Sequence, residues 1–176
     1  MSEITSSAVR NVVLAGHAGS GKTTLAEALL AAAGAIASCG SVEKGDTVCD
    51  HDPLARQFGH SLQASLVNFQ WQGVHLYLAD TPGLPDFSGP AIAALAAADT
   101  ALIVIDARLG VQVTTERMMQ LAQARGLCRM IVINGIDAEG VDLAGLLRDV
   151  RERFGPQCLL LDLPARGSGR VIELID

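Results

Sequence analysis

The order of apolar runs along this chain predicts a doubly wound α/β domain: a mostly parallel sheet with one antiparallel hairpin strand, and helices on both faces. Three observations carry that expectation. Short runs rich in Val, Ile and Leu alternate with helix-length segments. A glycine-rich loop directly follows the first of these runs. The chain has 176 residues, a length that suits one domain, and 49% of them are apolar. Aromatics make up only 3%, so the core must be built from Ala, Val, Leu and Ile.

The first run, "NVVLA" (11–15), suits a strand buried on both faces. Residues 22–33 are rich in Ala and Leu and end at Gly34, the residue type that closes helices. Residues 35–61 carry Gly40, Gly45, Pro53 and Gly59 and show no sustained period. That stretch is too long for an ordinary connection and marks a functional or mobile segment. "LQASLVNFQW" (62–71) and "VHLYLA" (74–79) flank Gln72-Gly73, a hairpin signal. Residues 86–98 read as a helix, with Ile92 and Leu95 on one side. "TALIVIDA" (100–107) is a buried strand, 112–125 a helix carrying Met118, Leu121 and Ala122, and "CRMIVIN" (128–134) a strand. Residues 141–153 place Leu143, Leu146, Leu147 and Val150 on a helical face. "CLLLDL" (158–163) predicts another strand, and 170–176 opens a further element. There is no internal repeat and no low-complexity linker. The end inside an apolar segment reads as a fragment of a longer protein.

Several function classes are disfavoured by composition. Net charge is -6, and Lys22 and Lys44 are the only lysines. The arginines are scattered, so no basic stripe marks this segment for direct nucleic-acid binding. No apolar run approaches the roughly 18–20 residues of a membrane span, and "MSEITSSAVR" lacks a signal pattern. Cys39, Cys49, Cys128 and Cys158 form neither a CxxC pair nor a Cys/His cluster at metal spacing. They read as reduced thiols of a cytosolic protein, with a Cys39–Cys49 disulfide left open by spacing.

Three motifs carry chemistry. "GHAGSGKT" (16–23) fits GxxxxGK[ST] in full, between a strand and a helix. A polyphosphate needs such a loop, because successive backbone N–H groups ahead of a helix N-terminus surround its charge. Gly16, His17, Ala18, Gly19, Ser20, Gly21, Lys22, Thr23 and Thr24 are therefore the candidate cradle. Lys22 would reach the β- and γ-phosphates and stabilise their charge, and Thr23 would offer its hydroxyl to Mg²⁺. "DTPG" (80–83) ends a buried strand. Asp80 there suits Mg²⁺, and the Gly83 N–H suits sensing of a γ-phosphate, although a strand-ending Asp with a Pro-Gly turn has the same sequence. "NGID" (134–137) follows the third buried strand. Asp137 can accept from the ring N–H and exocyclic amine of guanine, a pair that adenine lacks, with Asn134 bracing the loop. An Asx turn at Asn134-Gly135 is the plainer alternative.

In this order and spacing, "GHAGSGKTTLAEALL", "GSVEKGDTVCDHDP", "FGHSL", "DTPGLPDFSG", "ALIVIDARLGVQVTTERMMQLAQARG" and "RMIVINGID" resemble the G domain of translational GTPases of the elongation factor G type, and more closely the elongation-factor-G-like members. The resemblance runs through nearly the whole chain. It implies a P-loop NTPase G domain over 1–176, cut at the start of an insertion near 164–176 with later domains beyond. It implies GTP/GDP and Mg²⁺ as ligands, with Thr23, Ser61 and Asp80 on the metal. It makes 40–61 and 80–87 the two switches, and the ribosome a partner of the full-length, cytoplasmic protein. The fragment itself is expected to be a monomer with no membrane contact.

Four positions depart from the family pattern. Leu84 stands where a water-positioning histidine is usual, and Gly135 where a lysine packs over the base. Gly19 replaces a frequent aspartate, and Phe58 an arginine. His17 and His60 read as packed or solvated histidines rather than substitutes for the missing one. GTP hydrolysis is therefore left open. A degenerate G domain serving as an interaction module stays as the alternative. A P-loop ATPase or kinase is more remote, because Asp137 argues for guanine.

Overall fold

The structure, a computed structural model, describes residues 5–50, 52–164 and 171–174. The chain divides into two compact units, Met1–Val141 and Asp142–Asp176.

The first unit is the doubly wound α/β domain that the sequence predicts. Its strands are β1 (Val9–Ala15), β2 (Ser65–Trp71), β3 (Val74–Asp80), β4 (Thr100–Asp106) and β5 (Cys128–Asn134). Its helices are α1 (Lys22–Ala32), α2 (Pro53–Phe58), α3 (Ser88–Ala96) and α4 (Val113–Ala124). The sheet order is β2-β3-β1-β4-β5. Only β2 runs antiparallel, paired with β3 through a turn in which Gln72 (φ 47°) and Gly73 (φ 82°) are both left-handed. Two consecutive left-handed residues match the twist of a tight hairpin. The other pairs are parallel, with Leu14 opposite Asp80, and Asp106 opposite Asn134.

The chain first lays the edge strand β2 and then β3 on one side of β1, and crosses to β4 on the other. The C-terminal end of β1 is thus a topological switch point, the place where open α/β sheets bind ligands. Alternation along the strands sends neighbouring side chains to opposite faces. On one face Val12, Leu14, Phe69, Leu78 and Val104 form a core with Ala26 and Leu30 of α1. Val13, Ala15, Ile103 and Ile105 are also buried and point the other way. α3 and α4 touch each other there, α3 against β1 and α4 against β4 and β5.

Two elements differ from the sequence reading. The aperiodic stretch 35–61 contains α2, whose start and stop chemistry is plain at close range. The Asp52 carboxylate accepts the Leu54 N–H at 2.8 Å, Pro53 begins the helix, and Gly59 ends it in a left-handed conformation. A single turn and a half is too short to show a period. The second difference lies in the other unit, which holds α5 (Leu143–Phe154), β6 (Asp162–Pro164) and β7 (Val171–Glu173). Of the apolar run 158–163, only its last two residues enter a strand, paired antiparallel to β7. Leu159 is 74% exposed, so this run is apolar without being core. Much of the insertion expected near 164–176 lies outside the described residues, at 165–170 and 175–176.

No disulfide joins Cys39 to Cys49. Among the described residues, no helix is long and apolar enough to cross a membrane.

Leu78 is fully buried between the sheet and α1. Leu78→Ala is expected to lower unfolding free energy by about 2–5 kcal/mol, read as a lower urea midpoint at unchanged slope.

Candidate functional site

The loop from Gly16 to Thr23 joins the end of β1 to the first turn of α1. Gly21 precedes the helix at φ 85° with no side-chain cap, so the first N–H groups of α1 face a ligand position unblocked. A Cβ at Gly21 would collide with the Asn134 amide. Lys22 is buried, and its Nζ donates to the carbonyls of His17 (2.8 Å) and Gly16 (3.2 Å), closing the loop on itself. Burial pushes the Lys22 ammonium down to about 8, opposed by the Asp80 carboxylate.

Asp80 ends β3 beside this loop. The Thr23 hydroxyl donates to its Oδ2 at 2.6 Å, while its Oδ1 is buried without a hydrogen-bond partner. Burial pushes Asp80 up to about 6, with the Thr23 hydrogen bond and Lys22 pulling it down. Thr81 fixes the following turn by donating to the Leu14 carbonyl at 2.6 Å. Gly83 then backs onto the cradle: a Cβ there would lie 2.6 Å from Lys22 Nζ and 2.5 Å from the Ala18 nitrogen. Leu84, half-buried, follows with no polar side-chain atom.

Asn134, at the end of β5, links two loops. Its Nδ2 donates to the Ser20 carbonyl at 3.1 Å, and its Oδ1 accepts the Gly135 N–H at 3.0 Å. Asp137 lies just beyond, exposed.

The sequence-derived metal set is brought together in part. Thr23 and Asp80 meet, but Ser61 donates to Asp50 Oδ1 at 2.8 Å instead of meeting either. Asp50 is itself buried, and its carbonyl accepts from Arg56 Nε at 2.8 Å. Among the described residues, no three His, Cys, Asp or Glu side chains converge to hold a metal. One hydroxyl plus one carboxylate with an unpartnered buried oxygen nevertheless suits Mg²⁺. That ion takes few protein oxygens and completes its shell with phosphate and water.

His17 is packed, 5% exposed, with Nδ1 3.0 Å from the Thr115 hydroxyl on α4. Burial, then Lys22, hold it below the ordinary imidazole value. His60 is exposed. Sequence reading passed over three polar groups that shape the site. Thr115 holds His17. Asp106 receives the Arg108 guanidinium at 2.7 Å and the Arg108 N–H at 2.8 Å. Glu27 is 1% exposed within α1. The signal for Glu27 was its standing as the one acidic residue in an otherwise apolar helical run.

Comparison with known proteins bears on what this end of the sheet holds. The family described as Elongation factor Tu GTP binding domain matches residues 7–171. The tetracycline resistance protein TetW of Butyrivibrio fibrisolvens is 39% identical over 93% of this chain and 26% of its own length. An elongation factor G-like protein of Mycobacterium tuberculosis is 40% identical over 93% of this chain and 23% of its own. The chain thus spans about a quarter of the length of these curated relatives. A solved structure from Thermus thermophilus superposes with a TM-score of 0.86 at 43% identity, covering 93% of this chain and 24% of that one. A bacterial selenocysteine-specific elongation factor shares the fold, with a TM-score of 0.62 at 22% identity over 82% of this chain and 22% of its own.

Lys22 generates a pH signature. Its folded value, about 8, lies below the ordinary 10.5. Between these values the unfolded chain holds a proton that the folded chain has lost, so stability rises with pH across that window. Lys22→Met is expected to flatten this rise in the unliganded protein, read by chemical denaturation at a series of pH values from 7.5 to about 10.5.

Proposed function

This chain belongs to the elongation factor Tu GTP binding domain family, and on that premise we propose that it binds GTP and GDP with Mg²⁺ as the nucleotide switch of a translation factor acting on the ribosome. One observation supports this reading above the others. Lys22, the Gly83 turn and the Thr23–Asp80 pair converge at the switch point of the sheet, a cationic cradle beside a hard-oxygen pair.

In this reading, Lys22 exchanges the carbonyls of Gly16 and His17 for the β- and γ-phosphates. The N–H groups from Gly16 to Thr24 surround the phosphate chain. Thr23 and Asp80 would hold Mg²⁺, which when bound neutralises charge between the phosphates. Ser61 would join them only by leaving Asp50. The Gly83 N–H reports whether a γ-phosphate is present, because Gly83 already abuts Lys22 and Ala18. At the other end, Asp137 accepts from the ring N–H and exocyclic amine of guanine, while Asn134 keeps the base loop tied to the phosphate loop. Leu84 has nothing with which to orient an attacking water, so the domain's own turnover of GTP is slow and its output is the bound state.

Titration with fluorescent GTP, GDP and ATP analogues in Mg²⁺ tests the reading. GTP and GDP are expected to bind, and excess ATP not to compete. Preferred ATP binding would overturn it. Asp137→Asn is expected to shift preference toward xanthine nucleotides, whose second exocyclic position is a carbonyl. An unchanged preference would mean that Asp137 does not read the base.

A further inference from the structure

Glu27 sits one turn beyond Thr23 on the same face of α1. A buried carboxylate is tolerated when its oxygens are hydrogen-bonded. Here Oε2 accepts the Gly40 N–H at 2.8 Å and Oε1 accepts the Val48 N–H at 2.6 Å. The Cys39 thiol also donates to the Glu27 carbonyl, at 3.7 Å. The two donors bracket a loop that closes on itself, with Ser41 N–H on Asp46 Oδ1 at 2.6 Å and Gly45 N–H on the Ser41 carbonyl at 3.0 Å. A Cβ at Gly40 would lie 2.5 Å from the Asp46 carbonyl oxygen and 2.8 Å from Thr47 Cα, so this turn requires glycine.

Directly after Val48 the chain becomes buried at Cys49 and Asp50. The Cys49 carbonyl accepts the Ser65 hydroxyl at 2.5 Å, and Ser65 stands opposite Asp80 in the β2–β3 pair. One side chain of α1 therefore fixes the path of residues 40–48 and delivers the following residues to the neighbourhood of Asp80. α1 also supplies Lys22 and Thr23, so the clasp and the phosphate-facing groups ride on one rigid helix.

We propose that Glu27 is a positioning residue: its carboxylate clasps the 40–48 loop onto α1 and sets the 49–61 segment in the place from which it answers a γ-phosphate. The proposal deepens the nucleotide-switch reading and rests on it. The clasp uses backbone donors, so side-chain changes that leave the loop's path intact do not remove it. Loss of either carboxylate oxygen as an acceptor frees one end of the loop. The 49–61 segment then contributes less to holding the triphosphate, whereas the diphosphate, gripped by the cradle, is held as before.

Lys44 makes the clasp measurable. It is exposed within the loop, and the only other lysine, Lys22, is buried. A lysine-specific protease therefore reports loop opening as a single cut after Lys44. The experiment compares the unmodified chain with Glu27→Gln, which keeps the shape but loses one acceptor. Cutting is measured without nucleotide, and affinities are measured for GDP and a non-hydrolysable GTP analogue in Mg²⁺. Cutting about tenfold faster, with affinity for the GTP analogue reduced about tenfold and GDP affinity unchanged, is expected. Unchanged cutting, or equal losses for both nucleotides, overturns the proposal. If the unmodified chain binds neither nucleotide, the nucleotide-switch reading fails, and the cutting rates alone decide whether Glu27 holds the loop. Should Glu27→Gln fail to fold, amide hydrogen exchange in the unmodified chain decides. The Gly40 and Val48 amides are expected to exchange at least about tenfold more slowly than that of exposed Glu43, and equal rates overturn the clasp.

Discussion

The parallel pairing of β1 with β3 sets Leu14 opposite Asp80, and the chemistry at this end of the sheet depends on that register. The phosphate loop leaves β1 one residue beyond Leu14 and returns as α1, so Thr23 comes back over the end of β3 and reaches the Asp80 carboxylate. Thr81 locks the register from the other side by donating to the Leu14 carbonyl. A slip of one residue would turn the Asp80 side chain to the opposite face of the sheet. Such a slip is costly, because Leu78 on the same strand would leave the core along with it.

Around this register the domain gathers buried charge, which a stable core would otherwise exclude. Lys22, Asp80 and Glu27 are each almost wholly removed from solvent. Glu27 is fully satisfied by two backbone donors. Lys22 is satisfied by loop carbonyls, and burial lowers its proton affinity. Asp80 keeps one oxygen with no partner. The three differ in what they ask of their surroundings: Glu27 and Lys22 have partners within the chain, whereas Asp80 keeps an acceptor to spare. Stability sacrificed at a binding site in this way is the usual trade between a rigid fold and a responsive one.

The parts legible in the sequence were those where chemistry leaves little freedom. A polyphosphate cradle needs glycines, a lysine and a hydroxyl at fixed spacing, so "GHAGSGKT" announced both its strand and its helix. The hairpin was legible because its two left-handed residues demand a Gln72-Gly73 type of turn. α2 was not, because a helix of that length is set by its caps rather than by a repeating face. The run at 158–163 misled for the opposite reason: apolar side chains suggest a strand only where a partner strand exists to receive them. Ser61 shows a further limit. Its family position suggests a metal, but the hydroxyl turns to whichever acceptor is nearest, and here that is Asp50. Glu27 was visible only as an oddity, since its partners are backbone groups and leave no mark in the sequence.

The Asn134 joint has one more consequence. It grips the phosphate loop by the main-chain oxygen of Ser20 and its own loop by the Gly135 N–H. Residue 20 contributes only its main chain to this joint, while its buried hydroxyl lies 3.5 Å from Lys22 Nζ. Position 134 needs a donor and an acceptor on one short, planar group, and among the common side chains that is a carboxamide of this length. The mechanical link between the phosphate loop and the loop after β5 is therefore unequally shared: main chain on one side, and a single carboxamide on the other.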